Sequence, residues 1–236
     1  MQLRWIRATV IMAVLSTVGA PGGVAWQLGS RPAERWIEVL NRPERVQRLR
    51  INDVIARLRL KPGHTLADIG AGTGVFSMPF ARAVAPNGKV YAVEVDQGLV
   101  DHLQERARAE GASNVETVLG EFSDPKLPVE QIDVAFFHDV LHHVRDRPGY
   151  LKNLARYIKP EGRIAIIERG HHGPPEHGGG QSSERGDNRS AERETRSELH
   201  MTQEQVTAWM ADVGFQPSEE YYLFDGGKWF VVYERR

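Results

Sequence analysis

The chain has 236 residues, 41% hydrophobic and 26% charged, a composition that suits a globular domain with a sizeable core. Its formal net charge of -1 supplies no global field for nucleic acid, and no nucleic-acid partner is expected. It contains no cysteine, which excludes disulfides, thiolate zinc sites and cysteine nucleophiles but leaves the redox compartment undecided.

The first 25 residues stand apart from the rest. Arg4 and Arg7 precede a mostly apolar stretch, Ala8 to Val18, and no further charge occurs before Arg31. Small residues follow, Ala20 and Ala25 among them. This is the pattern of a secretory signal peptide cleaved after Ala25. An uncleaved membrane anchor is the second reading, although Pro21, Gly22 and Gly23 interrupt the span. Export to the periplasm, or anchoring at a membrane through the N-terminus, is therefore expected; a cytoplasmic leader is the remaining alternative.

Residues 26–42 read as a polar connector with some helix. From Pro43 to about Leu60 one helix is predicted: Val46, Leu49, Val54, Ile55 and Leu58 recur at helical spacing, and Lys61-Pro62-Gly63 ends the run. Residues 26–61 thus form a helical linker or lid ahead of a domain spanning 62–236. The other face of the helix carries Arg42, Arg45, Arg48, Arg50, Arg57, Arg59 and Lys61, which reads as a solvated face before it reads as a site for an anionic partner.

Strands and helices then alternate. Thr65–Ile69 is predicted as a strand, Val75–Val84 as a helix, Lys89–Glu94 as a strand and Gln97–Gly111 as a helix. Strands follow at Asn114–Leu119 and Ile132–Phe137, a helix at Pro148–Ile158, and a strand at Arg163–Glu168 after the turn Lys159-Pro160-Glu161-Gly162. Such alternation argues for a parallel sheet flanked by helices. Residues 169–198 have no apolar periodicity and read as a flexible insertion. Thr202 and Gln205 make a capping-box pattern for a helix to about Val213. Gln216–Phe224 and Lys228–Glu234 follow as strands, and the short Asp225-Gly226-Gly227 loop between them requires an antiparallel pair.

The chemistry concentrates in "LADIGAGTGVF", residues 66–76. Glycine is costly to order, so Gly70, Gly72 and Gly74 directly after a strand imply a ligand lying against the backbone. In an open parallel sheet, ligands bind beyond the carboxyl ends of the strands, which is where this corner falls. The spacing differs from a dinucleotide fingerprint, with Val75 in place of the last glycine. Asp68 would repel a phosphate but suits an ammonium. Glu94, ending the second strand, can accept hydrogen bonds from both ribose hydroxyls. The ligand implied is a nucleoside with a cationic arm. Asp96, two residues on, competes for the ribose role but also fits a helix cap.

At this point the sequence resembles the class I S-adenosylmethionine-dependent methyltransferases, nearest to small-molecule enzymes of the quinone-biosynthesis type. "LADIGAGTGVF" and "VYAVEVD" resemble the first two family motifs, "GEFSD" the third, and "IDVAFFHDVLHHV" the fourth with its trailing helix. The resemblance implies an α/β, Rossmann-like doubly wound sheet of seven strands in order 3-2-1-4-5-7-6, the seventh antiparallel. It implies S-adenosyl-L-methionine as cofactor, bound by Asp68, Gly70, Ala71, Gly72, Gly74, Glu94, Val95, Glu121, Phe122 and His138. It also implies methyl transfer to a small-molecule acceptor, with His138 and Asp139 as the catalytic candidates.

His138 suits a general base by its intrinsic pKa, although orienting cofactor or substrate is its other role. The stretch "HDVLHH" offers a metal pair, His138 with His142, only if both share a helix with a third ligand, and no metal is expected. His171, His172 and His177 in the insertion read as solvated loop residues. A non-catalytic protein that kept the cofactor pocket, and a nicotinamide-dependent oxidoreductase, are the rival functions.

Overall fold

The computed structural model describes residues 32–170, 201–224 and 227–236. The expected leader at 1–25, nearly all of the insertion at 169–198, and Asp225-Gly226 lie outside the described residues. The described residues all belong to one unit. In chain order it contains α1 (Ala33–Leu40), α2 (Pro43–Arg48), α3 (Ile51–Leu58), β1 (Thr65–Ile69), α4 (Ser77–Val84), β2 (Lys89–Glu94), α5 (Gln97–Ala109), β3 (Val115–Leu119) and β4 (Ile132–His138). A single 3-10 turn, Leu141–His143, leads to α6 (Arg147–Ala155), β5 (Ile158–Arg169), α7 (Gln203–Asp212), β6 (Phe215–Tyr221) and β7 (Lys228–Arg235).

The seven strands form one sheet in the order β3-β2-β1-β4-β5-β7-β6. The pairs β2–β3, β1–β2, β1–β4 and β4–β5 are parallel, whereas β7 runs antiparallel to both β5 and β6. This is the architecture expected from the sequence. The central strands are apolar on both faces because helices cover both faces. Along β4, Ala135 and Phe137 join Ile164, Ile166, Val231 and Tyr233 on one side, under Tyr150 and Leu154 of α6 and Val206 and Met210 of α7. Val134 and Phe136 join Ala165, Ile167 and Val232 on the other, against Val54 and Leu58 of α3 and Phe80 and Val84 of α4. There Phe136 meets Phe76 and Phe80 with ring centroids 4.9 and 5.0 Å apart. The capping box closes as its spacing predicts, with Thr202 and Gln205 exchanging side-chain and backbone bonds at the start of α7.

Two expected elements differ. The single helix from Pro43 breaks into α2 and α3 because Arg50 adopts a left-handed conformation, φ 50°. Its guanidinium bonds Asp53 at 2.7 Å and the Leu223 carbonyl at 2.5 Å, so a tertiary tie overrides the helical period. The turn at Lys159–Gly162 is absorbed into β5 as an irregularity: Ile158 pairs with Ile132, and regular pairing resumes at Arg163 with Val134.

Candidate functional site

The carboxyl ends of β1, β2, β4 and β5 carry the polar residues of the sheet. Asp68, one residue before the end of β1, is 3% exposed, and Ser77 of α4 donates to it at 2.5 Å. Burial and the nearby charge of Glu94 push its carboxyl up to about 7, against the pull of the Ser77 hydroxyl. Gly70, Gly72 and Gly74 all adopt positive φ, 66°, 57° and 77°. A Cβ on Gly70 would stand 2.5 Å from Val140, and one on Gly74 2.8 Å from Leu103, so the corner requires glycine for its turn and for its packing. Ala71 is buried, and its N–H anchors the loop to the Val93 carbonyl at 3.0 Å.

Glu94 ends β2 and is buried. Its two oxygens take the N–H of Gly72 at 3.0 Å and of Val95 at 2.9 Å, one each. Burial raises its carboxyl above the ordinary range, and these two bonds work against that rise. With the Asp96 N–H also drawn to it, the carboxylate still has acceptor capacity for a further donor. Asp96 is the cap of α5, accepting from Leu99 N–H at 3.0 Å. Gly120 donates to the Glu94 carbonyl at 2.9 Å, which brings Glu121 and Phe122 to the same edge. Both side chains are exposed there, and Glu121 pairs with Lys126 at 3.3 Å.

The structure therefore assembles Asp68, the three glycines, Ala71, Glu94 and Val95 into one corner, with Glu121 and Phe122 at its rim. The donor set fits a nucleoside with a cationic arm: a desolvated carboxylate with no paired cation among the described residues, beside a second carboxylate braced by backbone N–H groups. Leu40 and Asn41, at the end of α1, cover the loop. Leu40 lies 3.0 Å from where a Gly72 Cβ would be, and Thr73 donates to the Asn41 side-chain oxygen at 2.7 Å.

His138 and Asp139 follow at the end of β4. His138 is buried between Phe76 and Phe224, with ring centroids 5.1 and 6.4 Å away. Its Nε2 lies 3.0 Å from the Lys228 ammonium, which fills its lone pair. Burial, then the Lys228 charge, hold its pKa down to about 3. This corrects the general-base expectation for His138, because its acceptor nitrogen is taken and its charged form is suppressed. Asp139, at φ 55°, accepts from Lys228 at 2.6 Å. Burial works to raise its carboxyl, but neighbouring His138, Lys228 and Arg169 outweigh it and hold it below the ordinary range. His138 and His142 lie on different elements, a strand end and a 3-10 turn. No group of three or more metal-ligating side chains occurs among the described residues.

Sequence reasoning missed a pair. Glu168, 1% exposed near the end of β5, accepts from Val140 N–H at 2.8 Å and from His142 N–H at 3.3 Å. Its second oxygen lies 2.9 Å from His142 Nδ1. A carboxylate on Nδ1 selects the tautomer that leaves Nε2 as the acceptor, and His142 is partly exposed. The available signal was positional: Glu168 stands at the carboxyl-terminal end of an apolar stretch at the ligand edge, within one residue of the strand's end, as Asp68 and Glu94 do.

The sheet order is that of the fold on which S-adenosylmethionine-dependent methyltransferases are built. Residues 67–166 match the family model described as a methyltransferase domain, so a methyltransferase domain occupies this part of the chain. The chain is similar to a nocamycin O-methyltransferase of Saccharothrix syringae, 30% identical over 45% of this chain and 38% of the relative. It is also similar to a demethylmenaquinone methyltransferase of Geobacillus stearothermophilus, 28% identical over 49% of this chain and 50% of the relative. The chain thus matches half or less of the length of these relatives. A crystal structure of a SAM-dependent methyltransferase from Aquifex aeolicus shares the fold, with a TM-score of 0.69 at 22% identity, covering 86% of this chain and 98% of that one. Among the described residues, no helix is long and apolar enough to cross a membrane.

Proposed function

We propose that the protein transfers a methyl group from S-adenosylmethionine to a small-molecule acceptor that arrives with a proton on its nucleophilic atom. The observation that carries this reading is the corner where Glu94, fixed by Gly72 and Val95 N–H, stands beside the uncompensated Asp68. Glu94 would hold the ribose hydroxyls through its remaining acceptor capacity, and Asp68 the cofactor's ammonium, directly or through water. When bound, the cofactor supplies an electrophilic methyl group on its sulfonium.

The protein's own work is orientation and water exclusion, because in-line displacement needs alignment more than a dedicated nucleophile. Leu40 and Asn41 shield the glycine corner. His142 Nε2, with its tautomer set by Glu168, takes the acceptor's proton, and the imidazolium so formed is stabilised by the same carboxylate. This dyad favours a catalyst over a non-catalytic binder of the cofactor.

By their names the relatives methylate nocamycin and demethylmenaquinone, which supports a small organic acceptor here. The leader expected at residues 1–25 supports export or membrane attachment of this activity. Titration calorimetry with S-adenosylhomocysteine and with NAD tests the cofactor reading. Binding of the first and not the second is expected, and the reverse result would overturn it.

A further inference from the structure

One charged cluster at the acceptor edge is not used by the methyl-transfer argument. Lys228 opens β7 and Arg169 closes β5, and the antiparallel register sets them directly opposite each other. Like charges in that position repel. Lys228 Nζ donates to Asp139 Oδ2 at 2.6 Å, and Arg169 Nε lies 3.8 Å from Asp139 Oδ1. The second contact is an ion pair too long for a hydrogen bond. Arg45 of α2, half-buried, donates to the Leu40 carbonyl at 3.0 Å and stands within the fields of both Asp139 and Arg169.

Three cations thus face one carboxylate. The nearby carboxylate Glu168 is already committed to His142 and two backbone N–H groups. Burial lowers the pKa of Lys228 and of Arg45, and in each case the charge of Arg169 adds to the lowering. Asp139 Oδ1 is buried and makes no hydrogen bond. Of the three, Lys228 and Arg45 are partly buried, and two partly buried cations sharing the one carboxylate Asp139 are costly unless a further anion completes the set. Arg169 keeps a largely exposed side chain, 77%, and is free to turn a planar two-pronged donor face to an incoming carboxylate. The cluster lies beside the turn that carries His142: the charges of Asp139 and Arg169 both act on His143, the next residue.

We propose that Arg45, Arg169 and Lys228 form a subsite for an anionic group on the methyl acceptor, a carboxylate, so that the acceptor is a hydroxy acid held by its carboxylate while its hydroxyl meets His142. This rests on the methyltransferase reading above. The test compares 3,4-dihydroxybenzoate with its uncharged isostere 3,4-dihydroxybenzamide, by calorimetry on full-length protein loaded with S-adenosylhomocysteine. The acid should bind at least about tenfold more tightly than the amide, and the preference should shrink as salt is raised. Arg169→Gln, on an exposed side chain, and Lys228→Gln should each reduce the preference. Equal binding of acid and amide, binding of neither, or a preference that survives both substitutions would overturn the subsite. S-adenosylhomocysteine affinity is read in the same samples: intact cofactor binding without acid preference sinks the subsite alone, whereas no cofactor binding sinks the reading beneath it.

Discussion

Glu168 and His142 meet through one 2.9 Å contact, and the same carboxylate holds the turn that carries the histidine, through Val140 and His142 N–H at 2.8 and 3.3 Å. The group that selects the tautomer therefore also fixes the ring's position. Replacing His142 with Gln should lower kcat by about 10²–10⁴-fold, the usual contribution of a positioned base, and leave S-adenosylhomocysteine affinity unchanged. Glu168→Gln should also lower kcat, because an amide N–H facing Nδ1 favours the wrong tautomer. Steady-state kinetics beside calorimetry checks both. A His142→Gln enzyme with full kcat would remove the dyad from the mechanism.

The Asp68 carboxyl, pushed up to about 7 mainly by burial, gives two pH dependences. Between the ordinary carboxyl pKa, about 4, and about 7, the folded protein holds a proton that the unfolded chain has released. Stability of the cofactor-free protein should therefore fall as pH rises through that window and level off above it. Cofactor affinity should move the opposite way. An ammonium beside Asp68 favours its ionised form, so binding below about pH 7 must expel a proton and weakens as pH falls. Calorimetry in buffers of different ionisation enthalpy reads the proton release directly. Asp68→Asn should remove the Asp68 share of both the release and the pH slope, leaving only what Glu94, also raised by burial, contributes.

The alternation of strands and helices and most element boundaries were legible because apolar period and punctuation agree: strands buried on both faces, prolines opening helices, glycines closing them; the sheet order was legible only through the resemblance to the methyltransferase motifs. The cofactor corner was legible because Gly70, Gly72 and Gly74 sit next to Asp68 in sequence, and Glu94 ends the following strand. Three features were not. The break at Arg50 depends on the Leu223 carbonyl, 173 positions away. The His142–Glu168 pair joins residues 26 apart, one in the 3-10 turn after β4 and one near the end of β5. The neutral state of His138 comes first from burial and then from the charge of Lys228, 90 residues on in the chain. In each case a long-range partner contributes to the chemistry, and local patterning carries no record of it.

Gly70→Ala combines two penalties with one sign. At φ 66° an L side chain costs about 1–2 kcal/mol. Its Cβ would also meet Val140 at 2.5 Å, and Val140 is tied through its N–H to Glu168. Relief of the clash must therefore shift the turn that carries His142. The variant should lose stability by at least that strain, read by urea denaturation, and should lose kcat as well as cofactor affinity. A loss of affinity alone would show that the glycine corner and the dyad are mechanically independent.

Thr73→Val tests whether α1 acts as a cover. Thr73 is 1% exposed, and its hydroxyl donates to Asn41 at 2.7 Å, a contact between the glycine corner and the end of α1. Valine keeps the shape and deletes the donor, at a cost of about 0.5–1.5 kcal/mol for one hydrogen bond. Asn41 sits at the exposed end of α1, where water can satisfy its amide. The loss should therefore fall on closure of the segment more than on the fold. S-adenosylhomocysteine should dissociate faster by up to about tenfold in stopped-flow displacement, the equivalent of about 1.4 kcal/mol, with little change in Tm. An unchanged dissociation rate would mean that Leu40 and Asn41 rest on the corner without restraining what it holds.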